Sequence, residues 1–306
     1  MKLRLGTRGS RLALAQSGAV ADAIRRLGAE VEVVSIKTSG DRLAQVALAE
    51  FGGKALFVKE IEEALLDQRV DLGVHSLKDL PALLPRGLCL AAYPGREDPR
   101  DALVTRGGGT LADLPPGARV GTSSLRRRVV LLSRRADLKI EPIRGNVETR
   151  LAKLEAGDFD ALVMAQAGLN RLGLTPTHVT PLSVDEFIPA VGQGILALEV
   201  READREALEL LRALDHTQTR MEATAERSML QRLGAGCHTP VAGHARLVGR
   251  TLSVSGLVAS LDGSIVLRAS VSGPGEAAAD LGARLAEALL AKGAGPFLEA
   301  GTERQR

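Results

Sequence analysis

The N-terminal part of the chain alternates short apolar runs with segments of helical spacing. The apolar runs predict strands at 3–6, 31–37, 70–74 and 88–93. Apolar residues three or four positions apart predict amphipathic helices at 11–27 and 57–68. Because strands and helices alternate, we expect an α/β fold with a mostly parallel sheet and helices on both of its faces.

The alternation resumes after a charged segment that contains two prolines. This segment, 94–101, has the composition of a linker. Beyond it, the pattern predicts strands at 119–121, 138–143 and 161–164 and helices at 124–135 and 146–156. A second α/β unit is therefore expected over about 98–188. An apolar strand and two helices follow, at 195–200, 201–214 and 218–233.

The last part of the chain has a different pattern. Residues 251–260 and 264–271 alternate apolar and polar side chains around Asp262-Gly263, which is typical of a two-residue hairpin turn. A helical pattern over 276–291 closes this small α+β unit. Two α/β units joined by a linker predict a cleft between them, which is a common place for a ligand.

Length and composition exclude several classes of protein. The chain has 306 residues, of which 45% are apolar and 25% charged, so it is neither fibrous nor disordered. It has no apolar run long enough to span a membrane and no N-terminal stretch typical of a signal peptide. Cys89 and Cys237 are too far apart and too few for a disulfide framework. We therefore expect a cytoplasmic protein with reduced thiols.

The basic residues are unevenly distributed. Arg far outnumbers Lys among the 40 cations, while the chain has no Trp and one Tyr. Few aromatic rings argue against a nucleic-acid partner, since single-strand and RNA binders stack bases on such rings. A base-composition bias or a heat-adapted source also raises Arg content. However, 119–150 holds nine cations against three anions, a local charge of +6 in a chain of net charge +3. A uniform bias does not produce this concentration.

Polar and basic groups stand at four junctions where a strand leads into a helix, namely 7–10, 76–79, 121–127 and 144–146. The carboxyl ends of strands in a doubly wound sheet face one crevice, and helix N-termini there favour anions. The junctions thus predict a deep site for a small molecule with several negative charges. Alternatively, Ser123 or Ser124 only caps its helix and the following arginines face solvent.

Two further residues carry candidate chemistry. Asp79 either caps a helix or pairs with Lys78 or an arginine, or it holds a positive or N–H-rich centre of the ligand. Cys237 lies beside Gly236 and His238, where a neighbouring imidazole favours thiolate, although it is also compatible with an incidental loop thiol. Cys89 lies in an apolar strand and is expected to be inert. The histidines form no pair motif, so no metal site is expected.

Several runs, in order along nearly the whole chain, resemble the porphobilinogen deaminase (hydroxymethylbilane synthase) family. They are TRGSRLA (7–13), FGGKALFVKE (51–60), VHSLKDLP (74–81), REDPRD (96–101), GTSSLRR (121–127), RGNVETR (144–150), GLNRL (168–172), PAVGQG (189–194) and Gly236-Cys237. So many ordered matches are highly specific, and no functional position departs from the pattern.

The resemblance implies an α/β fold with two lobes like those of periplasmic binding proteins and a small α+β C-terminal domain. Domain 1 would comprise 1–95 and 190–215, and domain 2 would comprise 96–189 with the basic anion-binding face. Domain 3, at 216–306, would carry the attachment cysteine. The chain would cross between the lobes twice, and the protein is expected to be a monomer.

The resemblance also implies a transferase of porphyrin and haem biosynthesis. The enzyme would condense four porphobilinogen molecules onto a bound dipyrromethane and then hydrolyse the product to hydroxymethylbilane, a linear tetrapyrrole. The dipyrromethane would be linked to Cys237 through a thioether. Each porphobilinogen brings two carboxylates, so the bound chain would grow from four carboxylates towards twelve.

By the same resemblance, each site residue receives a role. The residues expected to hold the cofactor, besides Cys237, are Lys78, Asp79, Ser124, Arg126, Arg127 and Arg144. Those expected to bind substrate are Arg8, Ser10, Phe57, Arg150, Arg171 and Gln193. Asp79 would be catalytic, accepting pyrrole N–H bonds and stabilising positive charge.

Two other functions compete with this hypothesis. A transport or sensory binding protein would share the two-lobed fold and the anion cleft, but it would not need Cys237, Asp79 or a third domain. A nucleic-acid binder would use the arginine cluster, but the modest net charge and scarce aromatic residues argue against it.

Substitution of Asp79 tests the catalytic role. We expect Asp79→Asn to lower the rate of porphobilinogen consumption by roughly 10² or more, because one transition-state contact is lost. Circular dichroism should show an intact fold. Near-normal turnover in this variant would remove Asp79 from the mechanism.

Overall fold

The structure is a computed structural model, and it describes residues 1–37, 58–235 and 239–302. The chain divides into two compact units, Met1–Glu97 with Ile195–Met221 and Asp98–Gly194 with Glu222–Arg306. The predicted domain 3 thus falls largely in the same unit as domain 2. The division into three domains remains a prediction.

The elements of the described part follow one another in mixed order. The strands are β1 (Lys2–Arg8), β2 (Glu30–Ile36), β3 (Leu72–Ser76), β4 (Leu88–Ala92), β5 (Asp101–Thr105), β6 (Arg119–Gly121), β7 (Lys139–Glu141), β8 (Ala161–Ala165), β9 (Val179–Pro181), β10 (Leu196–Arg201), β11 (Val241–Val248), β12 (Thr251–Ala259) and β13 (Val266–Pro274). The helices are α1 (Arg11–Arg26), α2 (Lys59–Leu66), α3 (Leu125–Arg134), α4 (Val147–Glu155), α5 (Gln166–Arg171), α6 (Arg205–Leu211), α7 (Thr217–Leu233), α8 (Ala278–Ala291) and α9 (Gly295–Thr302). Short 3₁₀ turns lie at Leu77–Asp79, Arg212–Leu214 and Gly275–Ala277.

The first unit contains a five-stranded sheet of order β2-β1-β3-β10-β4. Strand β1 pairs in parallel with β2 and β3, whereas β10 is antiparallel to both β3 and β4. All strands except β10 therefore run in one direction. The prediction of a mostly parallel α/β sheet is confirmed.

The second unit repeats this arrangement in a sheet of order β7-β6-β8-β5-β9. Here β5 is the reversed strand, antiparallel to β8 and β9, while β6 pairs in parallel with β7 and β8. In each sheet the reversed strand is the first after the chain passes from the other unit. The linker predicted at 94–101 is wrong at its last residue, because Asp101 begins a buried strand.

Helix α1 shows why the predicted elements form where they do. Its N-cap is Ser10, whose hydroxyl accepts a hydrogen bond from Ala13 N at 3.3 Å. The helix buries Val20 and Ile24 against apolar side chains of the first sheet, such as Leu5. Arg25 and Arg26 end the helix, where cations complement the helix dipole.

The third sheet, β11-β12-β13, is antiparallel throughout. Its residues Leu257 and Ala259 belong to the same buried cluster as Val129 and Leu131 of α3. This shared core explains why the C-terminal residues belong to the second unit. The α+β character of the C-terminal region is confirmed, and β11 is an element that the sequence pattern missed.

The helix predicted at 201–214 is wrong in its first turn. Strand β10 continues to Arg201, and α6 begins only at Arg205, because Asp204 caps it by accepting a hydrogen bond from Ala207 N at 3.1 Å. Of the helix predicted at 57–68, the structure contains Lys59–Leu66, and Phe57 lies outside the described residues. Among the described residues, no helix is both long and apolar enough to cross a membrane.

Close packing of α7 against α8 gives a stability prediction. A Cβ atom added at Gly282 would collide with Ala225 O and lie 2.8 Å from Ser228 Cβ. We expect Gly282→Ala to lower the free energy of unfolding by about 1–3 kcal/mol, because the two helices must separate. Chemical denaturation measures this change.

Gly18→Ala is the matched control, since nothing lies within 4 Å of its added Cβ. Alanine there should raise the free energy of unfolding by about 0.5–1 kcal/mol, because alanine favours helix. Equal effects of the two substitutions would contradict the packing argument.

Candidate functional site

In the first unit, the predicted site residues lie at one edge of the sheet. Arg8 ends β1 and Ser10 follows it, while Lys78 and Asp79 belong to the turn directly after β3. Because β1 and β3 are parallel neighbours, their carboxyl ends share an edge. The structure therefore places Arg8, Ser10, Lys78 and Asp79 at the same end of this sheet.

Hydrogen bonds fix the turn that carries Asp79. Gln16 Nε2 of α1 donates to Ser76 Oγ at 3.2 Å, and Leu77 N donates to Ile195 O at 2.9 Å. Lys78 and Asp79 remain half-buried, with part of each side chain accessible to a ligand. A site of this kind needs side chains whose backbone is already fixed before substrate arrives.

In the second unit, the predicted residues follow three adjacent parallel strands, β7, β6 and β8. These residues are Ser124, Arg126, Arg127, Arg144, Arg150 and Arg171. Ser124 caps α3 by accepting a hydrogen bond from Arg127 N at 3.4 Å. The four predicted junctions thus form two sets, one at the carboxyl edge of each sheet.

Arg126 and Arg127 are buried around one carboxylate. They are 5% and 8% exposed, and Asp101 is fully buried. Arg127 donates from Nε and Nη2 to Asp101 Oδ1 at 2.9 and 2.7 Å, and Arg126 Nη1 lies 2.7 Å from Oδ2. The alternative in which these arginines face solvent is therefore wrong for both, although Ser124 does act as a cap.

Several other donors of this buried cluster bind backbone carbonyls. Arg126 Nη1 donates to Ile188 O at 2.9 Å, and Arg127 Nη1 donates to Val163 O at 3.0 Å. Gln193 Nε2 donates to Asp101 Oδ1 at 2.9 Å and to Pro99 O at 2.8 Å. The cluster of Asp101, Arg126, Arg127 and Gln193, the Asp101 cluster, therefore has a fixed geometry.

The pKa values show how the charges interact. Burial by itself would raise the pKa of Asp101, but Arg126, Arg127 and the Gln193 amide outweigh it and lower that pKa well below its usual value. Burial lowers the pKa of Arg126, and Arg127 lowers it further against the opposing effect of Asp101. One carboxylate thus stays ionised beside two buried cations.

Arg150 adds to this positive surplus. Burial and the charge of Arg127 lower the pKa of Arg150. Its Nε donates to Gly145 O at 2.9 Å, while Nε of Arg126 is buried and has no hydrogen-bond partner among the described residues. Guanidinium groups with excess positive charge suit a ligand that carries carboxylates.

Arg144 and Arg171 occupy different surroundings. Arg144 is exposed after β7. Arg171, at the end of α5, is half-buried and donates from Nη2 to Gly194 O at 2.6 Å. Arg171 is therefore hydrogen-bonded to the segment at which the chain leaves the second unit, and Gln193 lies within that segment.

Cys237 and Phe57 lie outside the described residues. The helix before Cys237 and the strand after it are held by Glu226, a fully buried residue of α7. Glu226 accepts hydrogen bonds from Ala245 N of β11 at 2.8 Å and from Gly192 N at 2.6 Å. Both flanks of the cysteine segment are thus fixed to the second unit.

Sequence reasoning missed two residues of this region, Asp101 and Glu226. Asp101 was assigned to a charged linker, although the apolar run that follows it would have predicted a strand. Glu226 carries no comparable signal, because an acidic residue in a helical pattern usually faces solvent.

Comparison with protein families decides the assignment. Residues 3–209 match the model described as "Porphobilinogen deaminase, dipyromethane cofactor binding domain", and 220–291 match "Porphobilinogen deaminase, C-terminal domain". The chain belongs to the porphobilinogen deaminase family. The resemblance found in the sequence is confirmed, and so is a dipyrromethane cofactor binding domain.

Individual relatives support the same family. The porphobilinogen deaminase of Syntrophotalea carbinolica is 51% identical, over 97% of this chain and 95% of its own length. That of Desulforudis audaxviator is also 51% identical, over 96% of each chain. The match therefore extends over nearly the full length of these porphobilinogen deaminases.

Solved structures of other proteins share only a distant likeness. An arginine-specific periplasmic binding protein of Salmonella typhimurium covers 70% of this chain and 91% of its own, with 16% identity and a TM-score of 0.41. The match to the periplasmic aliphatic sulphonate binding protein of Escherichia coli covers 75% of this chain and 70% of that protein, with 17% identity and a TM-score of 0.40. TM-scores of 0.41 and 0.40 mark only a distant structural likeness.

The residues of the second unit fit the dipyrromethane expected in this family. Such a group carries carboxylates, and the Asp101 cluster supplies two buried guanidinium groups with a net positive charge. The Ser124 hydroxyl and Arg150 lie at the same sheet edge. The donor set therefore has the charge and the hydrogen-bonding chemistry that the group requires.

Removal of the buried carboxylate should destabilise the protein strongly. Asp101→Asn leaves two guanidinium groups buried without their counter-ion, so we expect the free energy of unfolding to fall by about 3–5 kcal/mol. Urea denaturation at neutral pH measures the change.

Asp22→Asn serves as the control, since Asp22 forms an exposed ion pair with Arg25 at 2.8 Å. The control should lose less than about 1 kcal/mol. Comparable losses in the two variants would contradict the view that Asp101 neutralises buried charge.

Proposed function

We propose that this chain acts in tetrapyrrole synthesis by condensing four porphobilinogen molecules on a covalently held dipyrromethane and releasing hydroxymethylbilane by hydrolysis. The observation that carries the proposal is the buried positive surplus around Asp101, in a chain of the porphobilinogen deaminase family. Every substrate molecule brings two carboxylates, and a site with excess guanidinium charge stabilises them.

The cofactor would be held by one covalent bond and by a set of polar and cationic side chains. Cys237 would bind it through a thioether, and Lys78, Ser124, Arg126, Arg127 and Arg144 would bind its carboxylates. When bound, the dipyrromethane would supply the free pyrrole carbon to which the first new ring is joined. Arg126 and Arg127 are already fixed by Asp101, so they would hold carboxylates without first having to become ordered.

Substrate binding would use a second set of residues, Arg8, Ser10, Phe57, Arg150, Arg171 and Gln193. Arg150 is the strongest member of this set, because its pKa is lowered by burial and by Arg127 and an anion would relieve both effects. Gln193 would act through Asp101, since its amide donates to that carboxylate and to Pro99 O.

Asp79 would be the catalytic residue. Loss of ammonia from porphobilinogen leaves a cationic methylene-pyrrole, and the Asp79 carboxylate would stabilise the positive charge and accept the pyrrole N–H bond. The bonds at Ser76 and Leu77 hold the backbone next to this residue, which limits the reorganisation needed when charge develops.

We further propose a cytoplasmic monomer of three domains, 1–95 with 190–215, 96–189 and 216–306, without a nucleic-acid partner. Three separate sheets support the domain division. A content of 2% aromatic residues supports the absence of a nucleic-acid partner. Sedimentation at several protein concentrations tests the monomeric state.

Intact mass tests the covalent cofactor. The purified protein and a Cys89→Ser control should both exceed their encoded mass by one dipyrromethane. Cys237→Ser should show the encoded mass alone, because the thioether cannot form. Active protein of unmodified mass would contradict the proposed function.

A further inference from the structure

The first unit contains a buried group of titratable residues that the proposed reaction does not use. Glu62 of α2, His75 of β3 and Glu199 of β10 are 9%, 5% and 0% exposed. His75 Nε2 lies 2.9 Å from Glu199 Oε2. We call these three residues the Glu62 cluster. Buried ionisable groups are uncommon, because desolvation is costly unless the charges are paired.

The register of the sheet explains the contact between His75 and Glu199. Strands β3 and β10 are antiparallel, with Gly73 opposite Glu199 and His75 opposite Ala197. A Cβ atom at Gly73 would lie 2.8 Å from His75 Nε2. The missing side chain at Gly73 therefore leaves the space in which the imidazole reaches diagonally across to Glu199.

The charges of the Glu62 cluster require it to hold protons. Glu62 Oε1 and both side-chain oxygens of Glu199 accept no hydrogen bond from the described residues. Two ionised carboxylates in this buried space carry two negative charges, and protonation of a carboxyl group removes one of them. No set of three acidic, histidine or cysteine side chains among the described residues is arranged to bind a metal ion.

Glu62 is the group that titrates near neutral pH. Burial and the charge of Glu199 raise the pKa of Glu62 to about 7 against the opposing effect of His75, and Glu63 contributes a smaller rise. Glu62 is thus mostly neutral below about pH 7 and mostly charged above it, and its charge adds one negative charge to the cluster.

Charged groups on the neighbouring strands do not neutralise that negative charge. On β4, burial, Glu202 and Glu199 raise the pKa of Cys89. Arg201 at the far end of β10 is paired with Asp71 and Asp204 at 3.1 and 3.0 Å. Arg4 of β1 also binds Asp71.

The Glu62 cluster lies directly before the turn that carries Asp79. His75 precedes Ser76, and Leu196 of β10 is the register partner of Ser76. The 2.9 Å contact between His75 and Glu199 therefore joins β3 to β10 next to the start of the Leu77–Asp79 turn. The Leu77 N to Ile195 O hydrogen bond lies in this same region and reports its integrity.

We propose that Glu62, His75 and Glu199 are positioning residues for Asp79, and that loss of a proton from this cluster at alkaline pH loosens the Leu77–Asp79 turn. The effect of this proton loss on turnover rests on the proposed function. The effect of the proton loss on the Leu77–Asp79 turn does not depend on which reaction the protein catalyses.

Hydrogen exchange of the Leu77 amide, followed by NMR in the full-length protein, tests the proposal directly. Between about pH 6 and about pH 8.5 the protection factor of this amide should fall about tenfold. Loss of the Glu62 proton over this range changes the equilibrium for opening of the turn by about one unit of pKa, which corresponds to a tenfold change in an equilibrium constant. In Glu62→Gln the protection factor should not change with pH, since glutamine keeps the size of the side chain and cannot ionise.

Two controls show whether the effect is local and specific. Glu63→Gln, at an exposed position next to Glu62, should keep the fall in Leu77 protection, displaced slightly to lower pH because Glu63 raises the pKa of Glu62. The Asp71 amide, which donates to Arg4 O at 2.8 Å in the same sheet, should not follow the Leu77 amide. A fall at both amides would show general loosening of the unit and would overturn the proposal.

A second variant covers failure of Glu62→Gln to fold. Glu199→Gln removes the partner of His75, so its Leu77 protection should be low at both pH values. A protection factor that is the same at both pH values in the unmodified protein, or a Glu62→Gln curve that follows it, would overturn the proposal.

Kinetics separate the inference from the proposed function. With porphobilinogen, kcat should fall at alkaline pH in the unmodified protein and not in Glu62→Gln, with KM unchanged. A loss of kcat that is the same in both would overturn the link to Asp79. A folded, dipyrromethane-loaded protein inactive at every pH would refute the proposed function, and the exchange experiment would still test the turn.

Discussion

A single buried carboxylate, Asp101, determines the chemistry of the second unit. It holds Arg126 and Arg127 in place at distances of 2.7–2.9 Å. Burying two cations with one anion is costly, and it leaves an excess of positive charge. That excess extends to Arg150, whose pKa is lowered by burial and by Arg127. In the proposed function, the carboxylates of the ligand would balance this excess positive charge.

In each unit, the topology of the sheet brings such groups close together. Both five-stranded sheets have the same order, with one reversed strand next to the central parallel ones. The parallel strands of a sheet end at one edge, so the residues that directly follow these strands lie near one another. Buried hydrogen bonds such as Gln16 to Ser76 then fix individual loops. Function therefore depends on short segments carried by a repeated framework.

Much of this arrangement could be predicted from local sequence patterns. The strands before Arg8, Ser76 and Ser124 are apolar runs, and Ser124 is a strong capping residue, so these junctions were predictable. Asp101 was not, because charge and proline around it indicated a linker, whereas long-range pairing with β8 buries it. The reversed directions of β5 and β10 also depend on contacts distant in sequence. Cys237 was identified by resemblance, and it lies outside the described residues.

The central claim is that cations at the strand ends, rather than arginine in general, bind the carboxylates of the substrate. The most direct measurement is the KM for porphobilinogen in Arg150→Gln compared with Arg128→Gln, which removes an exposed cation of α3. Arg150→Gln should raise KM about tenfold or more, because a charge-assisted contact is lost, while Arg128→Gln should leave it within about twofold. Equal changes in the two variants would contradict the account.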